Sequence, residues 1–233
     1  MAYDELRERA LSANLALVQA GLVTLTWGNA SAADRDAGVV AIKPSGVPYG
    51  RLDAGAIVIL SLADGSVVEG KERPSSDAPT HLHLYRAFAS LGGVVHTHSA
   101  MATAFSQAGR ELPCLGTTHA DHFNGTVPVA RPLTESEVTG DYGRNTGRVI
   151  QECFESRRIE PLAVPAVFVH GHGPFCWGRT AEEAVDNAIA LEFCAAVAIT
   201  TWQLDPPAST IPRFLLEKHF LRKHGPAAYY GQR

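Results

Sequence analysis

The chain has 233 residues, 45% of them apolar and 19% charged, which excludes disordered, collagenous and coiled-coil classes and is enough to bury a sizeable core. Twenty Lys and Arg against 24 Asp and Glu leave a net charge of -4; with no basic run, no broad phosphate-neutralising surface for nucleic acid is expected. The four cysteines (Cys114, Cys153, Cys176, Cys194) are dispersed, never form CxxC, and follow an opening MAYDELRERA without a secretory apolar core, so a reducing cytoplasm is expected.

In chain order, Leu6, Ala10, Ala13 and Leu17 recur at helical spacing before Gly21, predicting an amphipathic helix over 4–20. LVTLTWGNASAADRDAGVVAIKPSG reads as two β-rich segments around a polar turn, and AIVILS with SVVEG as a hairpin around Asp64 and Gly65. Ser75, Ser76 and Asp77 precede a helix to about Ala89, with Pro79 tolerated in its first turn. GGVVHTHS reads as a strand, as does VPAVFVHGH. Thr134 with Glu137, and Thr180 with Glu183, have capping-box spacing, predicting one helix from 134 to about 156 and another over 181–203. The apolar stretch AIALEFCAAVAITTW is shorter than a bilayer span and carries Glu192, so it reads as a buried helix and no membrane contact is expected. QLDPPASTIP redirects the chain before a short last helix, RFLLEKHFLRKHG, and the tail AAYYGQR. No period repeats and no low-complexity linker divides the chain, so residues 1–233 are expected to form a single domain of α/β or α+β class.

His96 and His98, two apart at the end of an apolar strand, can point their imidazoles to the same side. His172, read as the end of another apolar strand, can supply a third nitrogen, and three protein ligands with an open position suit catalytic zinc. Histidines at a sheet margin also serve as satisfied polar residues, and spacing alone does not choose His172 over His170. Imidazole favours Zn²⁺ over Mg²⁺ and also suits iron, cobalt or manganese.

WGNAS, KPSG and RPSSD bring small polar residues and Lys43 to turns and a helix start, groups that can surround a small phosphate. Each alone is equally an ordinary turn or cap, and neither a Walker A nor a dinucleotide fingerprint is present. Asp77 and Asp121 could each exchange protons near a metal, or respectively start a helix and order a loop; spacing does not decide. His219, His224, Tyr229 and Tyr230 crowd a terminal segment that could close a cleft or cover an interface.

Taken in order, NLALVQAGLVTLTWGN, VAIKPSG, RPSSDAPTH, GGVVHTHS, GTTHAD, VHGHGPFCWG and KHFLRKHGPAAYYGQ resemble the class II aldolase/adducin family over nearly the whole chain. The resemblance implies a three-layer α/β/α arrangement around a largely antiparallel central sheet, and a homotetramer with active sites between subunits. It implies His96, His98 and His172 as Zn²⁺ ligands, Asp77 beside the metal-bound substrate, and Asn29, Lys43, Ser45, Gly46, Ser75 and Ser76 as the phosphate pocket. Asp121 and Tyr230 correspond to a proton-transfer pair, His219 to a further active-site residue, and Tyr229 to a structural neighbour. Asp77 stands where related aldolases carry Glu, which points to the family's epimerases: inversion at C4 of a phosphorylated ketopentose through cleavage and re-formation of C3–C4. An epimerase acting on L-xylulose 5-phosphate or an aldolase that releases its fragments is the alternative, with a noncatalytic adducin-like binding module behind both. Gly143 departs from the epimerase pattern, which has an acidic residue there; either Asp141 is the candidate replacement or that contact is dispensable.

Overall fold

The computed structural model describes residues 3–230. After helix α1 (Asp4–Gln19) come β1 (Asn29–Asp34), β2 (Val39–Ile42), β3 (Val58–Ser61) and β4 (Val67–Glu69). α2 (Ala78–Ala87), β5 (Gly93–His96), α3 (Ala100–Ala108), the short α4 (Thr117–Ala120) and β6 (Val129–Ala130) follow. The chain continues through α5 (Glu135–Thr139), α6 (Tyr142–Arg157), β7 (Ala166–Val169), β8 (Pro174–Gly178), α7 (Ala181–Leu204) and α8 (Arg213–His224).

The eight strands make one sheet in the order β4-β3-β2-β1-β5-β8-β7-β6, antiparallel except for the β6–β7 pair. Both faces are covered, so inner strands such as β2 (VVAI) and β7 (AVFV) read as unbroken apolar runs; alternate side chains enter different cores rather than alternating between core and water. In β2, Val39 and Ala41 join α1, α3 and α7 on one face, while Val40 and Ile42 join α2 and α6 on the other. Three layers, α/β/α, result. On the first face, Leu6, Ala10, Ala13 and Leu17 form the buried stripe of α1. Leu17 is fully buried, and its truncation to Ala would cost about 2–5 kcal/mol. Between these residues, the buried Asn14 donates to the Ala10 and Ala30 carbonyls (2.8 and 2.9 Å) and accepts from the Ala30 amide (2.9 Å), tying α1 to the start of β1.

Several local expectations change. The helix expected from 134 to about 156 is two helices. The capping box at Thr134 forms, but α5 ends at Thr139, the chain turns at Gly140, and the Asp141 carboxylate restarts it as α6 by accepting from the Arg144 amide at 3.2 Å. The strand expected through His172 ends at Val169, because Gly171 at φ +71° turns the chain back into β8. β8, missed in the sequence, lies between β5 and β7, and Pro174 is tolerated as its first residue. Asp77 occupies the position before α2 but makes no side-chain cap, and α2 ends at Ala87. Finally, α7 runs on to Leu204; its 24 residues are long and apolar enough to cross a membrane, yet half of its most apolar window is buried inside the fold, where Ala184, Ala188, Leu191 and Ala195 join the core.

Candidate metal centre and cleft

The candidate site forms where β1 begins and β5 ends. Register places Asn29 opposite His96, and His96 opposite Phe175 of β8, so three distant segments meet at one sheet margin. The His96 Nδ1–H donates to the Pro174 carbonyl at 2.9 Å, leaving Nε2 unprotonated and 3.1 Å from Nε2 of His98. Such a carbonyl partner is the usual device for orienting a metal-ligating imidazole. Phe175 stacks on the His96 ring at 4.2 Å. His172 arrives from the β7–β8 turn, with its ring centroid 4.6 Å from that of His96 and 5.2 Å from that of His98. One ligand nitrogen from each of the three lies within 4.8 Å of the others. Tetrahedral Zn²⁺ with bonds of about 2.0–2.1 Å needs nitrogens roughly 3.3–3.4 Å apart, so a small inward movement would close the set around an ion.

Glycine is required in this turn. A Cβ on Gly173 would lie 2.7 Å from the Thr97 carbonyl and 3.3 Å from Cε1 of His96. Gly28, at φ +83°, is equally constrained, since its Cβ would meet the His96 carbonyl at 2.9 Å. His170 is outside the cluster and exposed, its ring against Gly109 at the end of α3. Spacing does not separate 170 from 172; the turn does.

Burial pushes the pKa values of His96, His98 and His172 below the ordinary histidine value, favouring the neutral form that ligates a metal. Asp77 turns its carboxylate inward, where Oδ2 accepts from Asn29 Nδ2 at 2.7 Å. Burial opposes its ionisation, but the neighbouring His96 and His81 and the Asn29 amide hold its pKa below the usual value. With the imidazoles neutral, the Asn29 bond is the contribution that persists, and a cation at the histidines would reinforce it.

Beside the histidines opens a cleft of about 420 Å³, lined by His98, His172, Asp77 and all six expected phosphate-pocket residues: Asn29, Lys43, Ser45, Gly46, Ser75 and Ser76. Backbone pairing brings KPSG and RPSSD together. The Ser45 amide donates to the Arg73 carbonyl (2.9 Å), the Ser75 amide to the Lys43 carbonyl (3.0 Å), and Pro44 bridges to Pro74. Lys43 is only 2% exposed. Its Nζ donates to the Pro44 carbonyl at 3.3 Å and lies 4.8 Å from the Tyr49 ring centroid. Among the described residues no carboxylate forms an ion pair with it, and burial lowers its pKa. A buried ammonium without a counter-ion is a receptor for an anion. Oδ1 of Asn29 is buried without a hydrogen-bond donor, which leaves an acceptor for a ligand hydroxyl.

Of the residues lining the cleft, Tyr142 escapes the sequence reading, and Trp27 enters it only as part of the WGNAS turn. The Tyr142 hydroxyl is 3.3 Å from Nδ1 of His172, and the Trp27 ring meets that of His98 edge-on at 6.5 Å. Recognising Asp141 as a second helix start would have placed Tyr142 at a helix N-terminus. Gly143 packs in the next position: its carbonyl accepts from Thr80 Oγ1 at 2.7 Å, and a Cβ would press on Pro79 at 3.1 Å. Asp141, the candidate replacement for an acidic group there, caps α6.

The remaining expected residues form a second cluster and do not line the cleft. Asp121 Oδ1 accepts from Arg222 Nε (2.9 Å) and lies 3.1 Å from Nδ1 of His219; Oδ2 accepts from Arg222 Nη2 (2.7 Å). Burial works against ionisation of Asp121, but Arg222 and His219 outweigh it and hold the pKa low. Tyr230 is 55% exposed, with its ring over the Arg222 guanidinium, and Tyr229 is more exposed still.

Residues 8–199 match the class II aldolase and adducin N-terminal domain family, and the chain belongs to that family. His96, His98 and His172 are a metal-coordinating cluster of the class II aldolase type, suited to a divalent cation. Solved structures share the fold. An L-fuculose 1-phosphate aldolase is 24% identical with a TM-score of 0.77, over 92% of this chain and 94% of the other. YgbL from Escherichia coli, an aldolase, epimerase or decarboxylase by its description, is 25% identical with a TM-score of 0.73, over 94% and 99%. The L-fuculose-1-phosphate aldolase of Thermus thermophilus is 23% identical with a TM-score of 0.67, over 88% and 98%.

Proposed function

We propose that the protein is a sugar-phosphate 4-epimerase that interconverts L-ribulose 5-phosphate and D-xylulose 5-phosphate by breaking and re-forming the C3–C4 bond. One observation carries this reading: two members of the histidine triad, His98 and His172, line the same cleft as the uncompensated ammonium of Lys43, with His96 buried behind them. That pairing suits a substrate with oxygens for a metal at one end and a phosphate at the other. A divalent ion on the three imidazoles, zinc in this reading, would supply Lewis acidity at the C2 and C3 oxygens.

The chain's own residues hold and orient. Lys43, Ser45, Ser75 and Ser76, with the backbone at Gly46, bind the phosphate, so the severed two-carbon aldehyde stays in place while it presents its other face. Asp77, held by Asn29 and one methylene shorter than the Glu of the related aldolases, orients the bound three-carbon part. Asp121 and Tyr230 take and return the proton on the C4 oxygen from opposite faces, with His219 beside Asp121.

These last three residues do not line the cleft of their own chain, so the reading requires a neighbouring subunit to deliver them. We therefore place the active sites between subunits of a homotetramer, each chain acting as a single domain in the cytoplasm. The exposed Ile189, Phe193 and Val197 of α7 support such a contact.

The test is to incubate metal-supplied protein with L-ribulose 5-phosphate and resolve the C4 epimers by NMR. Inversion without accumulated glycolaldehyde phosphate is expected. Steady release of that aldehyde with negligible inversion would replace the epimerase with an aldolase, and full activity in a monomer would remove the neighbour's contribution.

A further inference from the structure

We propose that Arg222 is the positioning residue of the proton-transfer pair, holding the Asp121 carboxylate and the Tyr230 ring as one unit; this rests on the roles given to those two residues above. Arg222 lies in the last turn of α8, three residues after His219, so both side chains leave the same helix face. Its Nε and Nη2 donate to the two different oxygens of Asp121, at 2.9 and 2.7 Å. A two-point fork of this kind sets the plane of the carboxylate as well as its position, which a point charge such as Lys does not. The same guanidinium lies 4.5 Å from the centroid of the Tyr230 ring, within cation–π reach. Its backbone carbonyl accepts the amides of Tyr229 (2.9 Å) and Tyr230 (3.1 Å). One residue thus grips the first partner with its side chain and the second with both side chain and main chain.

Packing alone does not fix this alignment, because α8 contributes no fully buried residue, only half-buried ones such as Leu215, Leu216 and Phe220. The other ties between α8 and the 121–122 turn are polar: His219 to Asp121, Lys223 Nζ to Nε2 of His122 (3.1 Å), and His224 Nε2 donating to the Asp121 carbonyl (2.8 Å). The titratable and charged groups facing Asp121 are therefore His219, Arg222 and His224 from α8, with His122 next to it on its own turn. From α7, Glu183 and Asp186 act on His224 and His122. With Arg222 removed, the burial that opposes ionisation of Asp121 has only His219 against it.

The experiment compares Arg222→Gln, Arg222→Lys, Asp121→Asn and Tyr230→Phe in the full-length, metal-loaded protein. Kinetics of C4 inversion, metal content, melting temperature and the ¹³C NMR titration of the Asp121 carboxyl are recorded for each. Arg222→Gln should lower kcat about 10²-fold with KM and metal content unchanged, the size of effect expected for a misplaced reacting group. Added guanidinium should restore part of that loss, and the Asp121 titration should move up by about 1–3 pH units. Arg222→Lys should keep the Asp121 titration low yet leave kcat roughly tenfold down, since charge survives and the fork does not. A wild-type kcat in Arg222→Gln, or an unmoved Asp121 titration, overturns the proposal. If Arg222→Gln does not fold, full activity in Arg222→Lys overturns it instead. Wild-type rates in Asp121→Asn and Tyr230→Phe would sink the underlying reading of the pair, whereas wild-type Arg222→Gln beside an inactive Asp121→Asn sinks only the positioning role.

Discussion

The molecule holds two polar clusters by different physical means. At the metal site and the adjoining cleft, His96 and Lys43 are almost completely buried, and their backbones sit in or beside ladders of the central sheet. In the C-terminal cluster, α8 has no fully buried residue, only half-buried ones such as Leu215, Leu216 and Phe220, and reaches Asp121 and His122 through charged and hydrogen-bonding side chains. Register and burial therefore place the metal ligands, whereas electrostatics places α8. The first kind of order is barely screened by salt; the second is exposed to it.

The largest separation between the clusters should come from His98→Ala. Loss of one of three ligands should empty the metal site and abolish turnover while the contacts of α8 with Asp121 persist. Metal analysis of purified protein checks this, and full occupancy in the variant would contradict the triad. Next is Lys43→Met. A charge-assisted hydrogen bond is worth about 1.5–3 kcal/mol, so KM for the phosphorylated substrate should rise roughly 10- to 100-fold with metal content unchanged. An unaltered KM would move the phosphate elsewhere.

A pH series sharpens the contrast further. Burial sets the three metal-site histidines below the ordinary value of about 6.5. They stay neutral in the folded state while unfolded histidines are already protonating, so their contribution to stability is complete above about 6.5 and declines as the pH falls toward the folded values. Metal content should hold steady through about 6.5 and drop only below it; loss centred above that value would show that burial does not set the ligands' protonation. The smallest effect concerns salt. Raising it from about 0.05 to 1 M should speed amide exchange in α8 several-fold and leave β5 unchanged, and equal responses would erase the distinction between the clusters.

Much of the molecule is legible locally. The stripe on α1, the capping box at Thr134, the Asp64–Gly65 hairpin and the His96–His98 pair each depend on residues a few positions apart, and each appears where the pattern places it. The split between α5 and α6 was also local, but two N-terminal signals seven residues apart, at Thr134 and Asp141, compete for the same helix. β8 escaped because PFCWG directly follows the glycine turn and is too short to show a period.

From the order of its residues alone, the chain specified which chemical groups it carries and which secondary structures most of them occupy, since propensity, capping and apolar spacing act over one or two turns. It did not specify who meets whom. Asn29 reaches Asp77 across 48 positions and Arg222 reaches Asp121 across 101. Such pairings, like the choice of His172 over His170, arise when strands find their register and bury their sides together, a cooperative outcome that no short window of sequence contains.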